Sequence, residues 1–186
     1  MGRGGVLEEV EFKEALVIVE KGLRPCLQFT YEPQREVFAI HSQGANGDWV
    51  CHCTGRMRLL QREGGRLAIA DISSRLEEEI SRKDFYKALR DNGLELGTAF
   101  QGFVSIRRGG NEALAEVEVP EVAGGNHGYR WHPVALDPCF QVLAAAPGAD
   151  QSQMLLMAGV RRMRVHGAPA KRMCAWLMWT GLCCWN

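Results

Sequence analysis

Short runs in which apolar residues alternate with other residues, each closed by turn-forming residues, constrain the fold of this 186-residue chain more than any other feature. A period of two places every second side chain on the same face of a β-strand. Leu27, Phe29 and Tyr31 share one face in this way, and Pro33 stops their run. The runs in the first third of the chain are residues 10–19, 26–31, 36–42 and 49–60. Long strands separated by Gly, Pro and Asn turns predict an antiparallel meander.

The second half of the chain combines helices with further strands. Ser81 is a suitable N-cap with Asp84 three residues later, and Asn92-Gly93 is a left-handed helix stop, so a helix is predicted between them. Two strand runs flank the turn Gly109-Gly110-Asn111, which predicts a hairpin. A buried helix is predicted to begin at Pro138, because proline is favoured at the first helical position. The last predicted strands are residues 159–166 and 173–180.

The composition is that of an ordinary globular protein. Hydrophobic residues make up 46% and charged residues 24%, so extended disorder is not expected. Lys plus Arg and Asp plus Glu both number 22, which gives no overall reason to expect nucleic acid or an acidic membrane as partner. No run approaches the ~20 apolar residues of a membrane span and no signal-peptide core is present, so a cytoplasmic location is predicted. Arg161, Arg162 and Arg164 are interpreted as a solvated strand face.

The seven cysteines are scattered along the chain without a C-x-x-C pair. Cys51-His52-Cys53 suggests a metal site at first sight. Strand alternation, however, would place Cys51 and Cys53 together on one face of an apolar run, and no second ligand pair has suitable spacing. We therefore expect reduced cysteines and no metal.

The segment His-Pro-Val-Ala-Leu-Asp-Pro-Cys-Phe-Gln, residues 132–141, carries the clearest chemical signal. Asp137 and Gln141 are four residues apart, which places them on one face of a helix within hydrogen-bonding reach. Apolar neighbours favour a raised pKa for the Asp137 carboxyl, which would let it donate a proton, whereas the dipole of a helix N-terminus favours a lowered pKa. An aspartate before a helical proline is also commonly an N-cap. The residues alone leave these alternatives open.

Residues 132–141 resemble the second catalytic motif of polyketide synthase dehydratases, in which an aspartate is followed four residues later by Gln or His. Residues 85–89 and 93–102, the latter reading Gly-Leu-Glu-Leu-Gly-Thr-Ala-Phe-Gln-Gly, look like the family's helix and its Gly-Leu-x-Tyr-Gly-Pro-x-Phe-Gln-Gly segment. Residues 159–167 look like the strand that follows the catalytic helix. These motifs occur in the family's order, and the resemblance covers nearly the whole chain, from about Val6 to about Trp179.

The resemblance implies an α+β fold made of hotdog folds, in which an antiparallel sheet wraps around a central helix. It implies a partial first hotdog followed by a nearly complete second one. The expected division is a partial N-terminal hotdog at 1–61, a linker at 62–80, a C-terminal hotdog at 81–180 and a tail at 181–186.

The activity that the resemblance implies is removal of water from a β-hydroxyacyl chain held on the phosphopantetheine of an acyl carrier protein. A histidine of the first hotdog would remove the α-proton. Asp137 would protonate the departing β-hydroxyl, with Gln141 as its orienting partner. No metal or organic cofactor is implied; the partners are the acyl carrier protein and other synthase domains, and the family often forms dimers. The residues expected to bind substrate are Leu96, Gly97, Phe100, His132 and Pro133.

The chain departs from the family at the base. The family's base histidine lies in a His-x-x-x-Gly-x-x-x-x-Pro motif, and none of the five histidines here has a glycine four residues later. The prediction is therefore a fragment that starts within the first hotdog and is inactive alone. Leu96 and Thr98 also stand where the family has Tyr and Pro, which bears on substrate positioning.

Three other functions are alternatives to an active dehydratase. The changes at Leu96 and Thr98 favour a non-catalytic, degenerate dehydratase scaffold. A product-template domain shares the double hotdog but needs a larger pocket. A free-standing hotdog thioesterase is disfavoured, because the motifs span more than one hotdog.

Overall fold

The predicted strands assemble into two separate antiparallel sheets. The computed structural model describes residues 4–18, 25–44, 46–59, 68–121, 129, 131–145, 157–165 and 170–178, and the backbone of 182–185. The strands are β1 (Gly5–Phe12), β2 (Cys26–Glu32), β3 (Val37–Gln43), β4 (Trp49–Leu59), β5 (Glu78–Ile80), β6 (Phe103–Gly109), β7 (Glu112–Glu118), β8 (Gly159–Val165), β9 (Arg172–Met178) and β10 (Leu182–Trp185). The helices are α1 (Ile69–Ser74), α2 (Arg82–Asp91) and α3 (Pro133–Gln141). The expected α+β class is confirmed.

The chain divides into two units, and each contains one sheet. The first unit consists of Met1–Glu63 and Leu156–Gly167, and the second of Gly64–Leu155 and Ala168–Asn186. The strand order is β2-β3-β4-β1-β8 in the first sheet and β10-β9-β7-β6-β5 in the second. All pairings between neighbouring strands are antiparallel.

This division differs from the predicted boundaries in three places. The strand β8 lies within the predicted second hotdog but pairs with β1 of the first sheet. The predicted linker contains α1 and β5, and its residues 62–67 lie outside the described residues. The predicted tail contains β10, whose backbone pairs with β9. The helix α1 was not predicted because it buries only a short apolar face through Ile72 and Leu76, too short for a clear helical period.

The first unit has a small core on one face of its sheet. Val10, Phe38 and Cys53 are buried there. The strand predicted within 10–19 lies earlier in the chain, as β1, because β4 pairs with residues 5–12 and β8 with residues 5–11. Beyond Phe12, the amide of Lys13 donates to the carbonyl of His52 and pairing stops.

A β-bulge in the first sheet corrects the prediction for the two cysteines of β4. The register shifts between Ile40 and His41, so that Cys53 pairs with Ile40 while Cys51 pairs with His41. Adjacent residues of β3 point to opposite faces, and the two cysteines therefore do so as well. Among the described residues, no group of three or more His, Cys, Asp or Glu side chains is arranged to hold a metal ion.

The second unit has cores on both faces of its sheet. One face packs against α2 and α3, and its centre is fully buried at Phe103 and Ile106. Burial of side chains of this size contributes about 1.5–3 kcal/mol each. The opposite face packs against α1 through Leu114 and Trp176. No helix within the described ranges is long and apolar enough to cross a membrane.

The local signals for α2 and the hairpin are confirmed. Ser81 is the N-cap of α2, and its hydroxyl oxygen accepts from the amide of Asp84 at 3.0 Å. Asn92 caps the other end, and Gly93 follows with a φ of +87°. The hairpin β6–β7 turns at Gly110, which has a φ of +57°. Positive φ angles of this kind favour glycine.

Candidate active site

The helix α3 begins five residues earlier than predicted. His132 is its N-cap, with Nδ1 accepting a hydrogen bond from the amide of Val134 at 3.2 Å, and Pro133 occupies the first turn. The predicted first residue, Pro138, lies inside the helix. Two prolines compete for the first position, and the histidine side chain ahead of Pro133 supplies a cap that sequence patterns of Ser, Thr, Asp and Asn do not include. Asp137 is therefore an internal helical residue and not an N-cap.

Asp137 and Gln141 form the predicted pair on one face of α3. Gln141 Nε2 donates to Asp137 Oδ2 at 2.6 Å and to the main-chain carbonyl of Phe100 at 2.9 Å. Both partners are acceptors, so the amide nitrogen and not the amide oxygen must face them. Gln141 Oε1 is buried, with no hydrogen-bond partner among the described residues. The side chain is thus held in one orientation at two points.

The loop that contributes the Phe100 carbonyl is itself braced. Thr98–Phe100 forms a 3-10 turn in which the amide of Phe100 donates to the carbonyl of Gly97 at 2.9 Å. Gln101 Nε2 donates to the carbonyl of Leu96 at 2.8 Å. From α2, the guanidinium of Arg82 donates to the carbonyl of Gln101 at 2.7 Å. These contacts fix the main chain that holds Gln141.

A glycine lets the same loop approach α3 closely. A Cβ atom on Gly102 would lie 2.8 Å from Pro138 Cγ and 3.2 Å from the carbonyl oxygen of Glu118. The carbonyl of Gly102 accepts from the amide of Glu118 at 2.9 Å, so this backbone is also tied to the end of β7. The residue next to Asp137 in the chain therefore packs directly on the loop backbone.

Two buried neighbours of Asp137 have raised pKa values. Burial raises the pKa of the Tyr86 hydroxyl to about 12, with a further rise from Asp137, against smaller lowering effects of the Phe103 hydrogen bond and of Arg82. Burial also raises the pKa of the Cys139 thiol to about 12, and Asp137 adds to this rise. Tyr86 and Cys139 are therefore neutral at physiological pH.

The structure places the predicted site residues in two groups. Asp137, Gln141 and the Phe100 carbonyl form the hydrogen-bonded centre, and Leu96 and Gly97 lie in the braced loop beside it. His132 and Pro133 lie one turn earlier, where they start α3; the ring of Tyr129 contacts His132 edge-on, with centroids 5.1 Å apart. The second group shapes the helix start.

Three residues of the surroundings were not predicted as part of the site: Arg82, Tyr86 and Gln101. Arg82 and Tyr86 are four residues apart on α2, and the guanidinium carbon lies 6.0 Å from the ring centroid. Tyr86 accepts from the amide of Phe103 at 3.2 Å. The four-residue spacing could have indicated the pair, whereas a side chain that binds a loop carbonyl leaves no sequence pattern.

Two of the remaining histidines, His41 and His52, are described and lie in the first unit, whereas His127 and His166 lie outside the described residues. His52 Nε2 is 2.7 Å from the hydroxyl of Ser42, and its Nδ1 is 2.9 Å from the carbonyl of Glu14. Since a carbonyl only accepts, Nδ1 carries the proton and Nε2 accepts from Ser42. This arrangement ties the segment after β1 to the bulge of β4.

Comparisons with known proteins agree on one family. The family described as "Polyketide synthase dehydratase N-terminal domain" matches residues 65–178. Mycoketide-CoA synthase of Mycobacterium tuberculosis is 30% identical over 145 residues, which are 73% of this chain and 3% of that protein. Prosolanapyrone synthase of Alternaria solani is 30% identical over 127 residues, or 64% of this chain and 5% of that protein. The chain thus spans a small part of these relatives.

Solved structures show the same fold. The dehydratase domain from the CurF module of curacin polyketide synthase superposes with a TM-score of 0.85 at 22% identity, covering 96% of this chain and 66% of that one. The dehydratase domain of RzxB from Pseudomonas fluorescens superposes with a TM-score of 0.78 at 18% identity, covering 96% and 65%. These structures support the hotdog-type architecture that the sequence motifs implied.

Proposed function

Because this chain belongs to the polyketide synthase dehydratase family, we propose that it forms part of a domain that removes water from a β-hydroxyacyl chain. The product is an α,β-unsaturated thioester. The substrate is carried on the phosphopantetheine arm of an acyl carrier protein, and the chain works beside other domains of a polyketide synthase as a homodimer. The observation that carries the proposal is the pair Asp137–Gln141, fixed to the Phe100 carbonyl.

Asp137 is the acid of the proposed reaction. Gln141 donates to Oδ2, so Oδ2 is an acceptor, and the proton that leaves with the β-hydroxyl resides on Oδ1. Gln141 orients the carboxyl without exchanging a proton. The acid therefore presents one defined oxygen to the substrate, as general acid catalysis requires.

The base of the proposed reaction is a histidine outside residues 1–186. None of the five histidines here lies in the His-x-x-x-Gly-x-x-x-x-Pro motif. The chain alone therefore lacks the group that takes the α-proton, and we expect no dehydration from it unaided. Elimination needs only the acid and the base, so no metal or organic cofactor is part of the proposal.

Substrate binding is proposed for the loop and the beginning of α3. The acyl chain contacts the loop residues Leu96, Gly97 and Phe100. The approach to Asp137 is shaped by His132 and Pro133 at the start of α3. Leu96 packs against the core of the second unit, whereas a tyrosine is found at this position in the family. The missing hydroxyl supports a second candidate, a degenerate dehydratase that serves as a scaffold.

The test is dehydration by the synthase that contains this chain. The substrate is a β-hydroxyacyl thioester on its carrier protein, and loss of water is followed by mass spectrometry. Asp137→Asn is expected to lower the rate by roughly 100-fold or more, the usual contribution of a general acid. Asp91→Asn, which changes an exposed carboxylate of α2, is the control and should leave the rate unchanged.

The role of Gln141 is read from two variants in the same assay. Gln141→Leu removes the donor and should slow the reaction, whereas Gln141→His keeps one and should retain most of it. If Asp137→Asn leaves the dehydration rate of the synthase unchanged, Asp137 is not the general acid and the degenerate scaffold is the better account. If purified chain 1–186 dehydrates the thioester and Asp137→Asn abolishes this activity, the proposal that the base lies outside residues 1–186 is wrong.

A further inference from the structure

Arg82 of α2 binds the loop at the carbonyl next to the one that holds Gln141. The Phe100 carbonyl accepts from Gln141 Nε2 at 2.9 Å, and the following carbonyl, that of Gln101, accepts from the Arg82 guanidinium at 2.7 Å. Because peptide groups are planar, only the φ and ψ angles of Gln101 relate the two carbonyls. These angles are −94° and 59°, which belong to neither a helix nor a strand. A side chain that fixes the second carbonyl therefore also limits the direction of the first.

The backbone that follows this carbonyl is held by other groups. The carbonyl of Gly102 accepts from the amide of Glu118 at 2.9 Å. The amide of Phe103 donates to the hydroxyl of Tyr86 at 3.2 Å. Both bonds lie on buried backbone at the start of β6 and do not involve Arg82. Removal of the guanidinium should therefore free the carbonyl that it binds while the rest of the segment keeps its place.

The position of Arg82 suits a fixed contact that is separate from the core. It is the first residue of α2, and the N-cap Ser81 precedes it, so its main chain is fixed. Its guanidinium carbon lies 6.0 Å from the centroid of the Tyr86 ring, which is a cation–π distance to a buried ring. The side chain itself is exposed, so its truncation opens no cavity. A hydrogen bond from a charged donor is also stronger than one between neutral groups.

We propose that Arg82 is a positioning residue for Asp137, acting through the main chain of residues 100–101 and the amide of Gln141. The inference rests on the proposed function, in which Asp137 is the acid. Gln141 Nε2 divides its two bonds between the loop and Asp137 Oδ2, the latter at 2.6 Å. When the loop carbonyl turns away, Gln141 loses one of its two fixed points and the carboxyl loses its single orientation. Misdirection of the acid slows the chemical step and leaves substrate binding unchanged.

The test measures dehydration of a β-hydroxyacyl thioester by the synthase that contains this chain. Arg82→Ala is expected to lower kcat by roughly 10-fold, a part of the ~100-fold that a misplacement of about 1 Å costs, and to change KM by less than about twofold. Arg82→Lys keeps a charged donor for the single hydrogen bond and should retain most of the rate. Lys83→Ala is the control, since it removes the same charge from the adjacent exposed residue of α2 and should leave kcat unchanged.

A second arm separates positioning of the acid from a general weakening of the loop. In a Gln141→Leu background, Arg82→Ala should lower kcat by less than about twofold, because the connection to Asp137 is already broken. An equal loss in both backgrounds overturns the proposal, and so does an unchanged kcat in Arg82→Ala. Thermal unfolding checks that every variant is folded.

Hydrogen exchange of the same synthase reports on the loop without catalysis. Exchange of the peptide that contains residues 98–103, followed by mass spectrometry, should rise in Arg82→Ala and stay at the parent level in Lys83→Ala. If it stays at the parent level in both, Arg82 does not hold the loop, and the proposal is wrong whether or not the synthase is active. If exchange rises in Arg82→Ala while Asp137→Asn leaves the dehydration rate unchanged, the proposed function is wrong and the hold of Arg82 on the loop is not.

Discussion

Gly102→Ala should destabilise the second unit, because the new methyl group has no room. The ideal Cβ position lies 2.8 Å from Pro138 Cγ, 3.3 Å from Pro138 Cβ and 3.2 Å from the Glu118 carbonyl oxygen. These neighbours are a proline ring inside a helix and a main-chain atom of β7, so none can turn aside as a flexible side chain would. Overpacking of this kind costs about 1–3 kcal/mol, and rigid neighbours favour the upper half of that range.

The expected loss of about 2–3 kcal/mol corresponds to a fall in Tm of roughly 4–12 °C for a chain of this size. Native-state amide hydrogen exchange of β6 and β7 assigns the loss to the second unit. Gly97→Ala is the matched control: no atom of the described residues lies within 4 Å of its Cβ position, and its φ of −62° and ψ of 157° suit alanine. That variant should be neutral or more stable by about 0.4–1 kcal/mol.

Gly102→Ala should also slow the proposed reaction, because Pro138 directly follows Asp137 and a displaced Pro138 would displace Asp137 with it.

If the free energy of unfolding of Gly102→Ala is within about 0.5 kcal/mol of that of the parent, as for a typical surface change, then the close packing of the loop on α3 is wrong. A destabilised Gly97→Ala would also refute the reasoning, because the loop would then be sensitive to any added methyl group.

Two further predictions concern stability. Arg75 donates two hydrogen bonds to Glu112, at 2.6 and 2.7 Å. These bonds lower the pKa of Glu112 below its ordinary value of 4.5, despite the opposing effect of burial. The pair should therefore stabilise the fold above about pH 4.5, and this stabilisation should be lost as the pH falls through the lowered pKa. Glu112→Gln should flatten the acid limb of the unfolding free energy measured by urea denaturation, and an unchanged acid limb would contradict the pairing. Ser81→Ala should cost about 1 kcal/mol by loss of the cap on the Asp84 amide, whereas Ser81→Asp should preserve stability in thermal unfolding; equal stability of all three proteins would argue against a cap.

The elements that could be predicted from sequence are those with local signals. Ser81 and Asn92-Gly93 bound α2, and the turn around Gly110 bounds the hairpin, because caps and turns act within a few residues. The pairing of Asp137 with Gln141 followed from helical spacing alone. The role of Asp137 as proton donor stays a prediction.

The features that could not be predicted depend on contacts between distant residues. Glu8 and Arg162 are 154 residues apart in the chain, and nothing near β8 indicates that its partner is β1. Phe100 was predicted only as a substrate-binding residue, and no sequence signal indicated that its main-chain carbonyl holds Gln141. Carbonyls are the same in every residue, so a sequence motif cannot reveal which one is used.

The position of β1 between β4 and β8 has a consequence during synthesis on the ribosome. Roughly 100 residues separate the end of β4 from the start of β8, so a ribosome adding ~5–20 residues per second takes about 5–20 s to deliver the last strand of the first sheet. Through that interval the nascent β1 has a free edge, open to pairing with other chains. The helices α2 and α3 and the β6–β7 hairpin are made meanwhile. The sheet that is begun first is therefore completed only after most of the second sheet has emerged.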